Sequence, residues 1–180
     1  MKKLKNYLLA FALILLLPLG VQAQESPAQK WIRTFDGRPG ITTVSISRTM
    51  FKMLSNIKSS DPDYQTIARF ASRLQDFKIM IIDNDDTKVN NARVRTEFNR
   101  LVNTASLSNY EDLMTVNESG NHIAFRMLER NGRIQELIMT ITGSDNLVML
   151  IKGDFTLEEL TDISGNMNIS GMNKIKKLKK

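Results

Sequence analysis

A chain of 180 residues with no cysteine, one histidine and a formal charge of +6 is long enough to bury one apolar core, and it has no route to disulfides, thiolate metal sites or a cysteine nucleophile. The charge is unevenly placed. Of the 25 basic residues, Lys2, Lys3 and Lys5 open the chain and Lys174, Lys176, Lys177, Lys179 and Lys180 close it, leaving 17 basic against 19 acidic residues between them. A nucleic-acid interface needs a basic face on the domain itself, so no nucleic-acid partner is expected.

Residues 1–23 read as a secretory signal peptide. The three early lysines form a positive start, Tyr7 to Leu17 an apolar run, and Val21-Gln22-Ala23 a small-residue cleavage pattern after Pro18 and Gly20. Cleavage after Ala23 predicts a mature chain that begins at Gln24 and is periplasmic or secreted. The apolar run falls short of the roughly 20 residues that cross a bilayer. With no cysteine to lipidate, a mature protein without a lipid anchor is expected.

Residues 24–39 mix Gln, Ser, Pro and Gly without an evident period and predict an irregular arm in which Trp31 and Phe35 dock. An α+β domain is expected over 40–165. Ile41 to Ser47 is β-branched and predicts a strand, after which Ser47 caps a helix carrying Met50, Phe51, Met53, Leu54 and Ile57. Asp61-Pro62 starts a second helix with Tyr64, Ile67, Ala68, Ala71 and Leu74 at helical spacing. Phe77 to Ile82 is a short apolar run and reads as a buried strand; the turn Asp83 to Asp86 then caps a third helix striped by Val94, Phe98, Leu101 and Val102.

From Tyr110 the period becomes two. Leu113 to Glu118, His122 to Glu129, Ile134 to Thr142 and Leu147 to Lys152 predict an antiparallel four-strand meander, with Asn131-Gly132 as a tight hairpin turn. Ile123, Phe125 and Met127 share one face with Leu137, Met139 and Ile141. The second face carries the mixed set Ala124, Arg126, Leu128, Glu136, Ile138 and Thr140. Thr156 to Glu159 matches a capping box for a last helix with Leu160 and Ile163, ended by Gly165, and 166–180 is a flexible lysine-rich tail. The fold expected is a single α+β domain, a mostly antiparallel sheet with helices packed on one face.

Candidate chemistry is sparse. Ser55-Asn56-Ile57-Lys58 fits S-x-x-K and Ser144-Asp145-Asn146 fits S-D-N, in the order used by penicillin-binding proteins and serine β-lactamases, but the third K-T-G element is missing and Lys152-Gly153-Asp154 replaces it poorly. His122 stands alone, without a G-x-S-x-G elbow, and reads as a strand-edge histidine. Asp83, Asp85 and Asp86 suggest a calcium loop, yet Lys88 and Val94 occupy the places of its Gly and Glu, so helix capping explains them. Met50, Met53, Met114, Met127, Met139 and Met149 read as core filling. No catalytic, cofactor-binding or metal-ligating residue is assigned, and no cofactor is expected.

The segments Tyr110 to Val116, Asn131 to Met139 and Val148 to Leu157, with Val44 to Phe51 before them, resemble a family of small exported bacterial proteins catalogued as domain of unknown function 4252. The resemblance implies this fold and a Gram-negative envelope setting; it carries no activity and no functional residues. Some members resemble lipoproteins, from which this chain departs in having no cysteine. The expected function is a non-enzymatic periplasmic interaction or binding module whose partner is an envelope protein, using the mixed sheet face, with weak membrane-surface contact through the lysine tail at about 1 kcal/mol per lysine. The alternative is an envelope hydrolase using Ser55, Lys58 or His122.

Overall fold

The computed structural model describes residues 25–83, 89–104 and 107–166. The alternating apolar segments pair into a six-stranded sheet built from β1 (Ile41–Ser47), β2 (Leu74–Ile82), β3 (Glu111–Glu118), β4 (Asn121–Arg130), β5 (Arg133–Gly143) and β6 (Leu147–Phe155). The strand order is β1-β2-β6-β5-β4-β3, and every neighbouring pair is antiparallel. The expected meander is therefore present as β3 to β6, and β2 and then β1 extend it from the free edge of β6. Asn131 and Gly132 both take positive φ, 55° and 74°, the backbone that the two-residue turn between β4 and β5 requires.

Helices α1 (Pro27–Phe35), α2 (Arg48–Ser55), α3 (Pro62–Ala71), α4 (Val89–Thr104) and α5 (Leu157–Asn166) pack on both faces of the sheet. The sequence reading placed them on one. The physical reason is that both side-chain parities of the central strands are apolar: Met80, Ile82, Val148, Leu150 and Ile138 point one way, and Phe77, Ile151 and Leu137 the other. On the first face, Trp31, Ile32 and Phe35 of α1 and Val94 and Phe98 of α4 close the core. On the second, Phe51, Ala71 and Leu160 of α2, α3 and α5 cover one end of the sheet over Ile46, Phe77, Leu137 and Ile151. Each large apolar side chain fully buried in these clusters contributes about 1.5–3 kcal/mol.

The arm read as irregular over 24–39 contains α1. Ser26 caps the helix: its hydroxyl accepts from the Gln29 N–H and the Gln29 side chain accepts from the Ser26 N–H, both at 3.2 Å, with Pro27 in the first turn. Ala28, Trp31, Ile32 and Phe35 all face the core, so packing completes what the cap begins.

Two further expectations change. Ser47 occupies the N-cap of α2 without a side-chain cap bond, and Phe51 alone of the helix's apolar residues is buried. Met50 and Met53, read as core, are 50% and 62% exposed. A helix of eight residues set against the sheet edge buries one narrow stripe, and both methionines lie outside it. The last helix runs to Asn166, past the expected stop at Gly165.

The capping box of that helix is formed as expected. The Glu159 N–H donates to Thr156 Oγ1 at 3.1 Å and the Thr156 N–H to Glu159 Oε2 at 2.8 Å. Thr156→Ala is expected to lower stability by about 1 kcal/mol, measured by urea unfolding; an unchanged midpoint would show that the cap is redundant there. Among the described residues, no helix is long and apolar enough to cross a membrane.

Candidate binding surface

The sequence motifs for nucleophilic chemistry do not converge. Helix α2 ends at Ser55, so Lys58 lies beyond the turn that S-x-x-K needs, and Ser55 Oγ donates to the Lys52 carbonyl at 3.0 Å. Ser144-Asp145-Asn146 turns β5 into β6 at the end of the sheet where β1 begins, whereas α2 leaves from the end where β1 finishes. Asp145 is held by Asn121, which donates to it at 2.9 Å and accepts from its N–H at 2.8 Å. His122 is exposed at the start of β4, its Nδ1 2.7 Å from Asn117 Oδ1, beside a shallow polar depression that also includes Asn99 and Thr142. Asp85 and Asp86 lie outside the described residues; Asp83 continues the β1–β2 ladder through its N–H to the Gly40 carbonyl at 2.8 Å. Among the described residues, no group of three His, Cys, Asp or Glu side chains is placed to hold a metal ion.

The structure does assemble one polar cluster that sequence reasoning missed. Glu136, 2% exposed, accepts from the Tyr110 hydroxyl at 2.5 Å and has Lys152 Nζ at 3.6 Å. Lys152 also donates to Gln29 Oε1 at 3.2 Å, which ties the sheet to the capped end of α1. Burial, and then the hydrogen bond to Glu136, push the Tyr110 hydroxyl well above the usual tyrosine range. The register supplies the physical account: Glu136 sits opposite Lys152 on the face covered by α1, so a charge that alternation alone would assign to solvent is buried and must be paired. These bonds are satisfied within the fold and hold α1 in place.

That face is the mixed one, carrying Ala124, Arg126, Leu128, Glu136, Ile138 and Thr140, which the sequence reading assigned to partners. Helices cover it, and Ala124, Glu136, Ile138 and Thr140 are all buried. Among the described residues the open surface lies on the other face, past the end that α2, α3 and α5 cover, where the alternation looked like core.

Beyond the end covered by α2, α3 and α5, two rows of side chains run across all six strands. One row is Val44, Ile79, Met149, Met139, Phe125 and Met114; the next is Thr42, Ile81, Leu147, Ile141, Ile123 and Val116. Thr42 is the single polar member. None of the twelve is fully buried, Val44 is 49% exposed and Ile81 44%, and no helix among the described residues covers them. Together the two rows make one contiguous apolar surface that no described helix covers. Two positions further along the same face, the strand ends place Asp83, Asp145 and Glu118, all exposed, as an acidic border on the band.

A family model described as Domain of unknown function (DUF4252) matches residues 35–163, which takes in the whole sheet and its apolar band and begins at the last residue of α1. No curated protein and no solved structure matches the chain.

Proposed function

The chain belongs to the family described as Domain of unknown function (DUF4252), and from that premise we propose that it is a non-enzymatic binding module that works in the cell envelope after export. The observation that carries this reading is the apolar band: eleven apolar side chains in two registered rows, left open by every described helix while α1 and α4 bury the central strands of the opposite face. Leaving such a surface in water forgoes about 25 cal/mol for each Å² that contact would cover, so the band is a standing source of affinity for whatever seats on it. The n-region, apolar run and cleavage pattern of residues 1–23 support the export half of the proposal.

The test is a photo-crosslinking amino acid placed at Met149 or Met139 on the band and, as a control, at exposed Arg130, in cells making the full chain. Adducts of defined mass at the two band positions and none at Arg130, on a mature protein that starts at Gln24, are the expected result. Equal labelling at all three sites, or none on the band, would overturn the binding reading, and a chain recovered from the cytoplasm with residues 1–23 intact would overturn export.

A further inference from the structure

The two edges of the sheet are not alike. β3, the edge beside β4, carries Glu111, Asp112 and Glu118 and is bulged between Asp112 and Met114. Charges and bulges on an edge strand keep its unpaired main chain from taking up another strand. β1, the edge beside β2, has neither. Ile41-Thr42-Thr43-Val44-Ser45-Ile46-Ser47 holds no charge, proline or glycine, its register with β2 runs without a shift, and no described residue pairs with its outer side.

The main chain of that edge is complementary to itself. The Asp83 N–H donates to the Gly40 carbonyl, and the Ile82 N–H turns the other way, to the Asn146 carbonyl. Polar groups alternate sides along a strand, so the even-numbered residues of β1 bond to β2 and the odd-numbered ones face out. Of the outward groups, the Ile41 N–H returns to the Arg38 carbonyl at 3.2 Å, and Ser47 at the N-cap gives its carbonyl to α2. What remains is the N–H and C=O of Thr43 and of Ser45, the C=O of Ile41 and the N–H of Ser47. Antiparallel pairing with a second copy, about a two-fold axis between the two Val44 residues, matches all of them. Thr43 exchanges both bonds with Ser45 of the second copy, and the Ser47 N–H meets the Ile41 C=O at each end of the seam.

The side chains agree with this register. On the face of the band Val44 meets Val44 and Thr42 meets Ile46, so no charge is buried and the two bands join across the axis. On the opposite face, Ser45 of the second copy stands opposite Thr43, whose Oγ1 is buried without a hydrogen-bond partner among the described residues, and brings a hydroxyl within side-chain reach. Helix α2 continues directly from β1 and packs on β1 and β2, and its Met50 and Met53 are exposed beside this edge. A closed pair uses both β1 edges and leaves only the charged, bulged β3 strands outermost, so association stops at two.

We propose that the protein forms a two-fold symmetric dimer through β1, joining two six-stranded sheets into one of twelve strands. The seam is about 24 Å long, at the small end of specific interfaces, so the dimer dissociates on dilution. It uses the sheet edge and not the face on which the binding-module reading rests, so either can fail without the other.

The chain has no cysteine, so single-cysteine variants of the full chain report the seam without background. In this register the two Val44 Cα atoms lie about 4.5 Å apart, within disulfide range, and the two Thr42 Cα atoms about 14 Å apart. Mild oxidation is expected to link Val44→Cys into a covalent dimer and to leave Thr42→Cys unlinked. Light scattering over a dilution series from about 0.5 mM should show the unaltered chain passing from dimer to monomer. Val44→Lys and Val44→Glu, which set like charges against each other at the axis, should each move the midpoint at least ten-fold higher in concentration, and an equimolar mixture of the two should restore the dimer. Ser45→Pro removes an outward N–H, leaves the ladder to β2 whole and should act in the same direction. Native Trp31 emission in each variant shows that the fold is kept. A chain that is monomeric at every concentration overturns the proposal. So does a disulfide at Thr42 in place of Val44, a dimer indifferent to all three substitutions, or a Val44→Cys thiol that links in cells only to a different protein.

Discussion

Phe98→Ala is expected to cost about 3–5 kcal/mol, the range for emptying a fully buried aromatic site. Phe98 has no exposed surface and is the point at which α4 meets α1: its ring stacks on Trp31 with centroids 5.4 Å apart and meets Phe35 edge-on at 6.0 Å. Aromatic pairs of this geometry add about 0.5–1.5 kcal/mol each beyond the area they bury. The neighbours are held by two helices and the sheet, so they cannot close over the void, which puts the cost toward the upper end. Because Trp31 is the sole tryptophan, its emission reports the docking of α1 directly. Urea unfolding followed at that emission should show a lowered midpoint and a native-state signal shifted toward the red. A loss below about 1 kcal/mol with native emission would contradict the packing described for this face.

The second large effect is expected at Tyr110, whose hydroxyl donates to buried Glu136. Tyr110→Phe removes the donor and leaves the carboxyl group with Lys152 as its remaining partner in the cluster, at an expected cost of about 1.5–3 kcal/mol, the range for a hydrogen bond to a charged group. The variant should also differ in pH dependence. Burial, the hydrogen bond to Glu136 and the charge of Glu136 raise the folded Tyr110 pKa above its ordinary value. An acid whose pKa is raised by folding stays protonated in the native state while the unfolded chain begins to release its proton at about pH 10. The contribution of Tyr110 is therefore complete below about pH 10 and is lost as pH rises toward the folded value, at up to about 1.4 kcal/mol per pH unit. Lysines titrate in the same window, so the informative quantity is the stability of the native chain minus that of Tyr110→Phe. That difference should shrink between pH 10 and 11.5 in urea unfolding; a constant difference would mean that the hydroxyl titrates alike in both states.

Much of the domain was legible in the residues. The period of two from Tyr110 onward, broken by Asn131-Gly132 and by Gly143-Ser144-Asp145-Asn146, located the meander, because turn chemistry and alternation are local properties. Thr156 and Glu159 located the start of α5 for the same reason. Helix α1 is legible too: Ser26 and Gln29 form a capping box around Pro27, and Ala28, Trp31, Ile32 and Phe35 follow at i, i+3, i+4 and i+7. The abundance of Gln, Ser and Pro around them concealed a short amphipathic helix whose four apolar residues suffice once a core is there to receive them.

What the sequence determined by itself was the set of elements and the company each strand residue keeps: alternation places Met139 with Ile141 and Ile138 with Thr140, whatever the rest of the chain does. It could not determine which of those two sets would be covered. Both are apolar enough to serve as core, and the decision depends on helices supplied from residues 27–35 and 89–104 on one side and 48–55, 62–71 and 157–166 on the other. Only the tertiary arrangement shows the first group spread across its face, with Glu136, Lys152 and Tyr110 paired beneath α1, and the second gathered at one end of the opposite face. The band from Val44 to Met114 is open for that reason: coverage is a long-range property of how far the packed helices reach, and no local pattern in the strands encodes it.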